Sequence, residues 1–269
     1  MPRSLNIVVL LKQVPEIEKV RFDAEKGRLD RSSAGAVINP FDLNALEAAV
    51  QVKEQTGGFV TVLSMGPPKA EEALRDALAR GADRAVLLSD AKFGGADTLA
   101  TSYTLSCAVR KLGAFDLVIC GEKTIDGDTA QVGPEVAEFL GVPHVAYVEE
   151  VRGVDDEAVE VKSRLDEDCL TVRMRLPGLV TVTKDINSPR LPTLRDKLKS
   201  RKAEVAVWTA NDLSGLADER LFGLPGSPTW VAKVYAPSSG KKRGQIFEGT
   251  AEEKAEKVAE VLAGLNVLR

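Results

Sequence analysis

The chain is poor in the residues that most often carry chemistry or staple small folds. It has one histidine and three cysteines among 269 residues, and aromatic side chains make up only 5%. A single histidine excludes His-rich metal centres and leaves a Ser-His-Asp mechanism only one candidate base. That base, His144, follows Val142-Pro143 at the start of an apolar run, where it reads as structural. Cys107, Cys120 and Cys169 lie far apart with no C-x-x-C pair, so no disulfide framework is expected and the compartment reads as a reducing cytoplasm. With few aromatics and a formal net charge of -4, nothing suggests a basic groove with stacking platforms for nucleic acid. The opening apolar run covers only Ile7 to Leu11, far short of the roughly 20 residues that span a bilayer. No transmembrane segment or secretion signal is expected.

What remains is ample for one α/β core with an appendage, since 44% of the residues are hydrophobic and 28% charged. Short apolar runs at 5–11, 59–65, 85–88, 116–120 and 144–148 alternate with helical periodicity at 42–55, 68–80, 97–111 and 129–140. That alternation predicts βαβ units and a parallel sheet. Gly57-Gly58, Gly81 and Gly113 follow helices where a left-handed residue is wanted. After residue 150, short strands are expected at 159–163, 170–176 and 179–183, and the V-R-M-R-L alternation at 172–176 fits a half-solvated antiparallel strand. From Asn187 the pattern loosens, with Pro189, Pro192, Pro225, Pro228 and Pro237 and a Ser-Ser-Gly-Lys-Lys-Arg-Gly stretch. Two regions are therefore expected: an α/β domain over 1–186, and over 187–269 an arm that lies on another surface and ends in an amphipathic helix at 252–265.

The segment from Gly121 to Pro134 leaves an apolar strand and enters a helix, a place where unpaired N–H groups and a helix dipole favour phosphate. Asp126, Gly127, Asp128, Thr129, Gln131 and Val132 suit such a turn: glycine permits close backbone approach, and Thr129 and Gln131 offer hydrogen bonds. The same residues also describe an Asp-capped helix after a glycine turn. A second glycine turn at 93–102, with Gly94, Thr98 and Thr101, opens another helix with hydroxyls in its first turn, and here too simple capping is the alternative. Asn39-Pro-Phe-Asp42 and Met65-Gly-Pro-Pro68 are two further polar joints on the same expected sheet edge. Asp126 and Asp128 lack a third carboxylate at the spacing of a calcium or magnesium loop, so no metal is expected there.

Read together, K-Q-V-P at 12–15, N-P-F-D at 39–42, G-A-D-R at 81–84, D-G-D-T-A-Q-V-G-P at 126–134 and T-L-R-D-K-L-K-S-R-K at 193–202 resemble the β subunit of electron-transfer flavoproteins, in order and over nearly the whole chain. The resemblance implies a Rossmann-like parallel sheet of the adenine-nucleotide-hydrolase-like type, with a small antiparallel extension and a C-terminal arm. It implies a larger α subunit carrying FAD, and in this subunit either structural AMP or, in the electron-bifurcating branch, a second FAD. The stretch from Ser89 to Ser102 resembles bifurcating members, which favours FAD and electron splitting from NADH. By position, Leu10, Asn39, Asp42 and Met65 would touch the adenine side, residues Asp126 to Val132 the phosphates, and Gly94, Thr98 and Thr101 whatever extends beyond them. Leu194, with Arg195 and Lys197 beside it, would dock into an acyl-CoA or other flavin dehydrogenase, within a basic stretch that includes Arg190, Lys199, Arg201 and Lys202. The segment 164–168 departs from the family's regular acidic pattern. An adenylating enzyme would need a Ser-Gly-Gly-x-Asp-Ser loop where Lys12-Gln-Val-Pro15 stands, and a universal-stress-type module would leave the long tail unused.

Overall fold

The protein is described from a computed structural model, which covers residues 4–16, 21–23, 28–30, 35–232 and 244–265. By contacts the chain forms two compact units, Met1–Val231 and Ala232–Arg269. In the first, β1 (Asn6–Leu10), β2 (Gln13–Pro15), β3 (Arg21–Asp23), β4 (Arg28–Asp30) and β5 (Ala36–Ile38) precede α1 (Pro40–Thr56). Next come β6 (Phe59–Met65), α2 (Glu71–Ala79), β7 (Arg84–Leu88), α3 (Thr98–Leu112), β8 (Leu117–Gly121) and α4 (Val132–Leu140). They are followed by β9 (His144–Val154), β10 (Ala158–Arg164), β11 (Cys169–Arg175), β12 (Gly178–Val182), α5 (Leu194–Ser200) and β13 (Ala206–Trp208). The second unit contains α6 (Ala251–Gly264).

Among the described residues a nine-stranded sheet runs in the order β11-β10-β9-β12-β8-β1-β6-β7-β13. The β9–β10 and β10–β11 pairs are antiparallel, and every other neighbour pair is parallel. Strands covered on both faces need continuous apolar sequence, and Ile7-Val-Val-Leu10 and Leu117-Val-Ile-Cys120 provide it. On one face Ile7 and Val9 meet Leu46 and Ala49 of α1 and Leu74 and Ala77 of α2. On the other, Val8 and Leu10 share a core with Cys107 and Ala108 of α3 and Val136 and Ala137 of α4. The chain steps outward from β1 to β6 and β7, then returns to the other flank of β1 with β8. The strand order thus reverses between β1 and β8, and the loops leaving their carboxyl ends diverge around a crevice.

The α/β class, the largely parallel sheet, the antiparallel extension and the C-terminal helix agree with the sequence. Three particulars differ. Residues 179–183, grouped by the sequence pattern with the antiparallel strands, form β12, a parallel strand inserted between β9 and β8; Gly178-Leu-Val-Thr-Val182 is wholly buried, as a central strand must be. The short run Ala206-Val-Trp208 adds β13 beside β7, too brief for its periodicity to be read. The change of unit falls after Val231 and not at 187. Leu213 and Phe222 are buried in the α3 and α4 core, with the Phe222 ring 5.1 Å from that of Phe93 and edge-on. Within the second unit α6 opens with a reciprocal capping box between Thr250 and Glu253, and its Val258, Val261 and Leu265 are exposed.

Residues 187–190 are fastened across α1. Asn44 Nδ2 donates to Asn187 Oδ1 at 3.0 Å, and Asn187 Nδ2 returns a bond to the Asn44 carbonyl. The Arg190 guanidinium binds Glu47 at 2.8 and 3.1 Å and Glu54 at 2.6 and 3.1 Å. Arg190 is therefore committed to α1 and is not part of a free basic docking surface. Burial opposes ionisation of Glu47, but its bonds from Arg190 prevail and hold the carboxyl below its ordinary 4.5. Because that value is depressed in the folded state, the stabilisation is present above pH 4.5 and fades as pH falls through the lower folded value. Arg190→Ala strands Glu47, which is only 7% exposed, and is expected to cost about 2 kcal/mol, less than a fully buried pair because the arginine is partly solvated. Urea titrations at neutral and acidic pH check this: the loss should be largest near neutrality and shrink below the ordinary glutamate value.

Candidate functional site

The crevice is built around two buried polar residues at the start of α1. Pro40 fits the first helical turn, where no N–H donor is needed, and this start places Asn39 and Asp42 beneath the carboxyl ends of β1 and β8. Asn39 does not cap its own helix. Its Nδ2 donates to the Lys123 carbonyl at 2.8 Å, and its Oδ1 accepts from the Ile125 N–H at 3.2 Å. The Asp42 carboxylate accepts the Lys12 N–H at 2.8 Å on one oxygen and the Gly121 N–H at 3.1 Å on the other. One carboxylate thus ties together the two strand ends that flank the reversal point. Gly121 is required for this approach, since a Cβ there would lie 2.6 Å from both Asp42 Oδ1 and the Phe41 Cβ. Burial pushes Asp42 from 3.8 up to about 7, partly offset by its bonds from Lys12, Asn39 and Gly121.

The loop from 122 to 131 is an open apron over this base, with Asp126, Gly127, Asp128, Thr129 and Gln131 exposed and Val132 half-buried at the start of α4. Asp128 at φ 53° and Ala130 at φ 55° are both left-handed without being glycine. Such residues each cost on the order of 1 kcal/mol and persist where the surroundings impose them. Alternating left- and right-handed residues turn successive N–H groups toward one side, a concavity suited to anions. Among the described residues the N–H groups of Gly127, Thr129 and Ala130 have no acceptor. The two carboxylates diverge: Asp126 pairs with Lys12 at 2.8 Å and Asp128 with Lys123 at 2.8 Å. Gly133 lets α4 sit down on the sheet, since a Cβ would meet Thr181 Cγ2 at 2.5 Å and Cys120 Sγ at 3.0 Å.

Beside this loop the second joint brings in α3. Asp97 caps α3 through the Ala100 N–H at 3.1 Å and also accepts the Thr229 N–H and hydroxyl at 3.0 and 2.8 Å. The Thr98 hydroxyl donates toward Gln131 Oε1 at 3.3 Å and Glu135 Oε1 at 3.2 Å, so the two helix starts are side by side. Thr101 is half-buried in the first turn of α3. Gly94 is exposed, whereas Gly95 is left-handed with Leu224 3.2 Å from its notional Cβ. The chain's own segment around Leu224 therefore packs against this turn. Leu10 ends β1 and is buried, and Met65 ends β6, half-buried. Leu194, Arg195 and Lys197 are exposed on α5, which Arg75 holds to α2 through the Ser200 and Ala203 carbonyls at 2.9 Å each. They are not on the elements that form the crevice. Lys12, quoted in the sequence as the start of K-Q-V-P but given no place in the site, joins the two sides of it through Asp126; its signal was its position directly after the first apolar run.

The role of Asp42 predicts a pH effect. Its folded-state value lies above its unfolded one, so it contributes stability below 3.8 that is lost as pH rises toward about 7. In Asp42→Asn that decline should flatten. Asp42→Ala, leaving two backbone donors without an acceptor, should cost about 2–4 kcal/mol. Urea midpoints of wild type and both variants across this pH range check the slope; an unchanged slope in Asp42→Asn would contradict the assignment.

The electron transfer flavoprotein domain family matches residues 26–213. The chain is 46% identical to "Electron transfer flavoprotein subunit beta" of Clostridium acetobutylicum over 93% of its own length and 95% of that protein's. It is 44% identical to "Protein FixA" of Azorhizobium caulinodans over 91% and 89% of the two chains. It is 40% identical to "Caffeyl-CoA reductase-Etf complex subunit CarD" of Acetobacterium woodii over 91% and 93%. The chain belongs to the electron transfer flavoprotein family, among its beta subunits.

Proposed function

We propose that this subunit holds FAD in the crevice between β1 and β8 and transfers electrons as part of a bifurcating heterodimer with an alpha subunit. The observation that carries this reading is the adjacency of the α3 and α4 starts, linked by Thr98 and Gln131 at 3.3 Å. A mononucleotide needs one phosphate cradle. FAD has a second phosphate and a ribityl chain, so it needs donors beyond that cradle, and the first turn of α3 offers Thr98 and Thr101 there. The residues fit such a group on independent grounds, since the N–H groups of Gly127, Thr129 and Ala130 lack acceptors among the described residues and two non-glycine residues are held left-handed to present them.

In this reading Asp126 to Val132 line the phosphates, and Leu10 and Met65 border the adenine. Asn39 and Asp42 hold the loops on either side, and Gly94, Thr98 and Thr101 border the extension. Flavin supplies the redox chemistry when bound; the chain binds it, orients it and shields it from water. The relative named for a caffeyl-CoA reductase–Etf complex supports assembly with an acyl-CoA or other flavin dehydrogenase, with Leu194, Arg195 and Lys197 as docking residues on α5. Leu194 is 75% exposed, a large apolar side chain on a short helix that also carries the exposed cations Arg195 and Lys197, which would steer an acidic partner. The unit Ala232–Arg269 serves as the arm that grips the alpha subunit, using the apolar side of α6. Among the described residues no helix is long and apolar enough to cross a membrane.

Acid release of nucleotides from the purified complex tests the cofactor. Two FAD per pair of chains is the expected result, and one FAD with one AMP would contradict it. Replacing Thr98 and Thr101 by valine removes two hydroxyl donors at constant size. The double variant should lose this subunit's flavin and keep the other, as absorbance of the released flavin counts.

A further inference from the structure

The loop that offers its N–H groups to an anion carries an electrostatic conflict. Residues 122–131 include Glu122, Asp126 and Asp128 against a single cation, Lys123. Uncompensated, they repel the group that the backbone is shaped to receive. Lys123 is already taken by Asp128. The charge on Asp126 is met from the other side of the crevice, where Lys12 Nζ reaches both carboxylate oxygens at 2.9 and 2.8 Å. Burial opposes ionisation of Asp126, and its bonds from Lys12 and Thr124 outweigh that, keeping the carboxyl below its ordinary value.

The pair sits where the strand order reverses: Lys12 comes after β1 and Asp126 after β8. The Lys12 backbone is fixed by its N–H bond to Asp42, so only the side chain need move. The two side chains are 45% and 32% exposed. An ion pair this open has little net strength of its own, and an incoming dianion competes for the ammonium at small cost. Among the described residues no other lysine or arginine forms an ion pair with Asp126.

We infer that Lys12 is the phosphate-binding cation of this crevice and that Asp126 is its internal stand-in, giving up the ammonium when a nucleotide phosphate enters. This rests on the reading that the crevice holds a nucleotide. Asp126 thereby lines the phosphate site as a competitor for its cation, its carboxylate making no direct bond to the phosphate. Once displaced it turns into solvent on an exposed loop, and Lys12 bridges the phosphate and the base of the crevice. The exchange keeps the Lys12 ammonium paired with an anion in either state, and it favours ligands by the charge of their phosphate more than by their base.

The experiment uses the intact purified protein, stripped of bound nucleotide, with AMP and adenosine as calorimetric probes. Lys12→Met should weaken AMP binding about tenfold, the size of one lost charge-assisted hydrogen bond, and leave adenosine binding unchanged. Lys12→Arg should retain most of the AMP affinity. Asp126→Asn, which removes the competitor, should tighten AMP binding about fivefold by the same measure. Circular dichroism melts confirm that each variant is folded. Unchanged AMP binding in folded Lys12→Met, or weakened binding in Asp126→Asn, would overturn the inference while leaving the nucleotide crevice standing. If the wild-type protein binds neither probe, the crevice reading itself fails and takes this inference with it.

Discussion

The arrangement depends on one buried carboxylate. Asp42, 4% exposed, accepts the N–H groups of Lys12 and Gly121, two residues past β1 and the last residue of β8, the strands between which the sheet reverses. Those strands must diverge there, and the backbone donors they leave behind would be costly if unmet. Asp42 meets both with one side chain. Its neighbour Asn39 does the same for the loop that follows. With both in place, α1 acts as a bracket that sets the width of the crevice and the path of the 122–131 loop. The left-handed residues Asp128 and Ala130 can persist because the loop is held at its root, and the Lys12–Asp126 pair spans the gap above.

This geometry divides the motif residues into two kinds. Asn39 and Asp42 are spent on backbone groups, so they act on a ligand through the loops that they hold. Gly127, Thr129 and Ala130 present N–H groups that no acceptor among the described residues engages, and Thr98 joins the neighbouring helix start to Gln131. The segment 222–229 has a supporting part as well: Phe222 packs against Phe93, and Thr229 bonds Asp97, so the start of α3 is positioned from behind.

Much of this was legible in the sequence. The strand β6 falls on the expected residues 59–65, and β1, β7 and β8 lie within a residue or two of theirs, because wholly buried strands need unbroken apolar runs; β9 starts at the expected His144 but runs on to Val154. The loop at 126–132 was recognisable from Asp126-Gly-Asp-Thr and its place between a strand and a helix. What the sequence hid was long-range. Lys12 and Asp126 are 114 positions apart, and no periodicity links them. Arg190 looked like one of several surface cations, yet two glutamates on α1 claim it. The β13 strand is three residues long, and the proline-rich stretch around Phe222 owes its burial to a partner surface on α3 that composition does not reveal.

The central claim is that phosphate binds where the strand order reverses. Crystallographic location of the phosphorus atoms in the purified protein tests it most directly. The account predicts phosphate density against the N–H groups of Gly127, Thr129 and Ala130, within reach of Lys12. Density instead at the amino-terminal edge of the sheet, in the cleft lined by Asp116, Arg173 and Arg175, would contradict it.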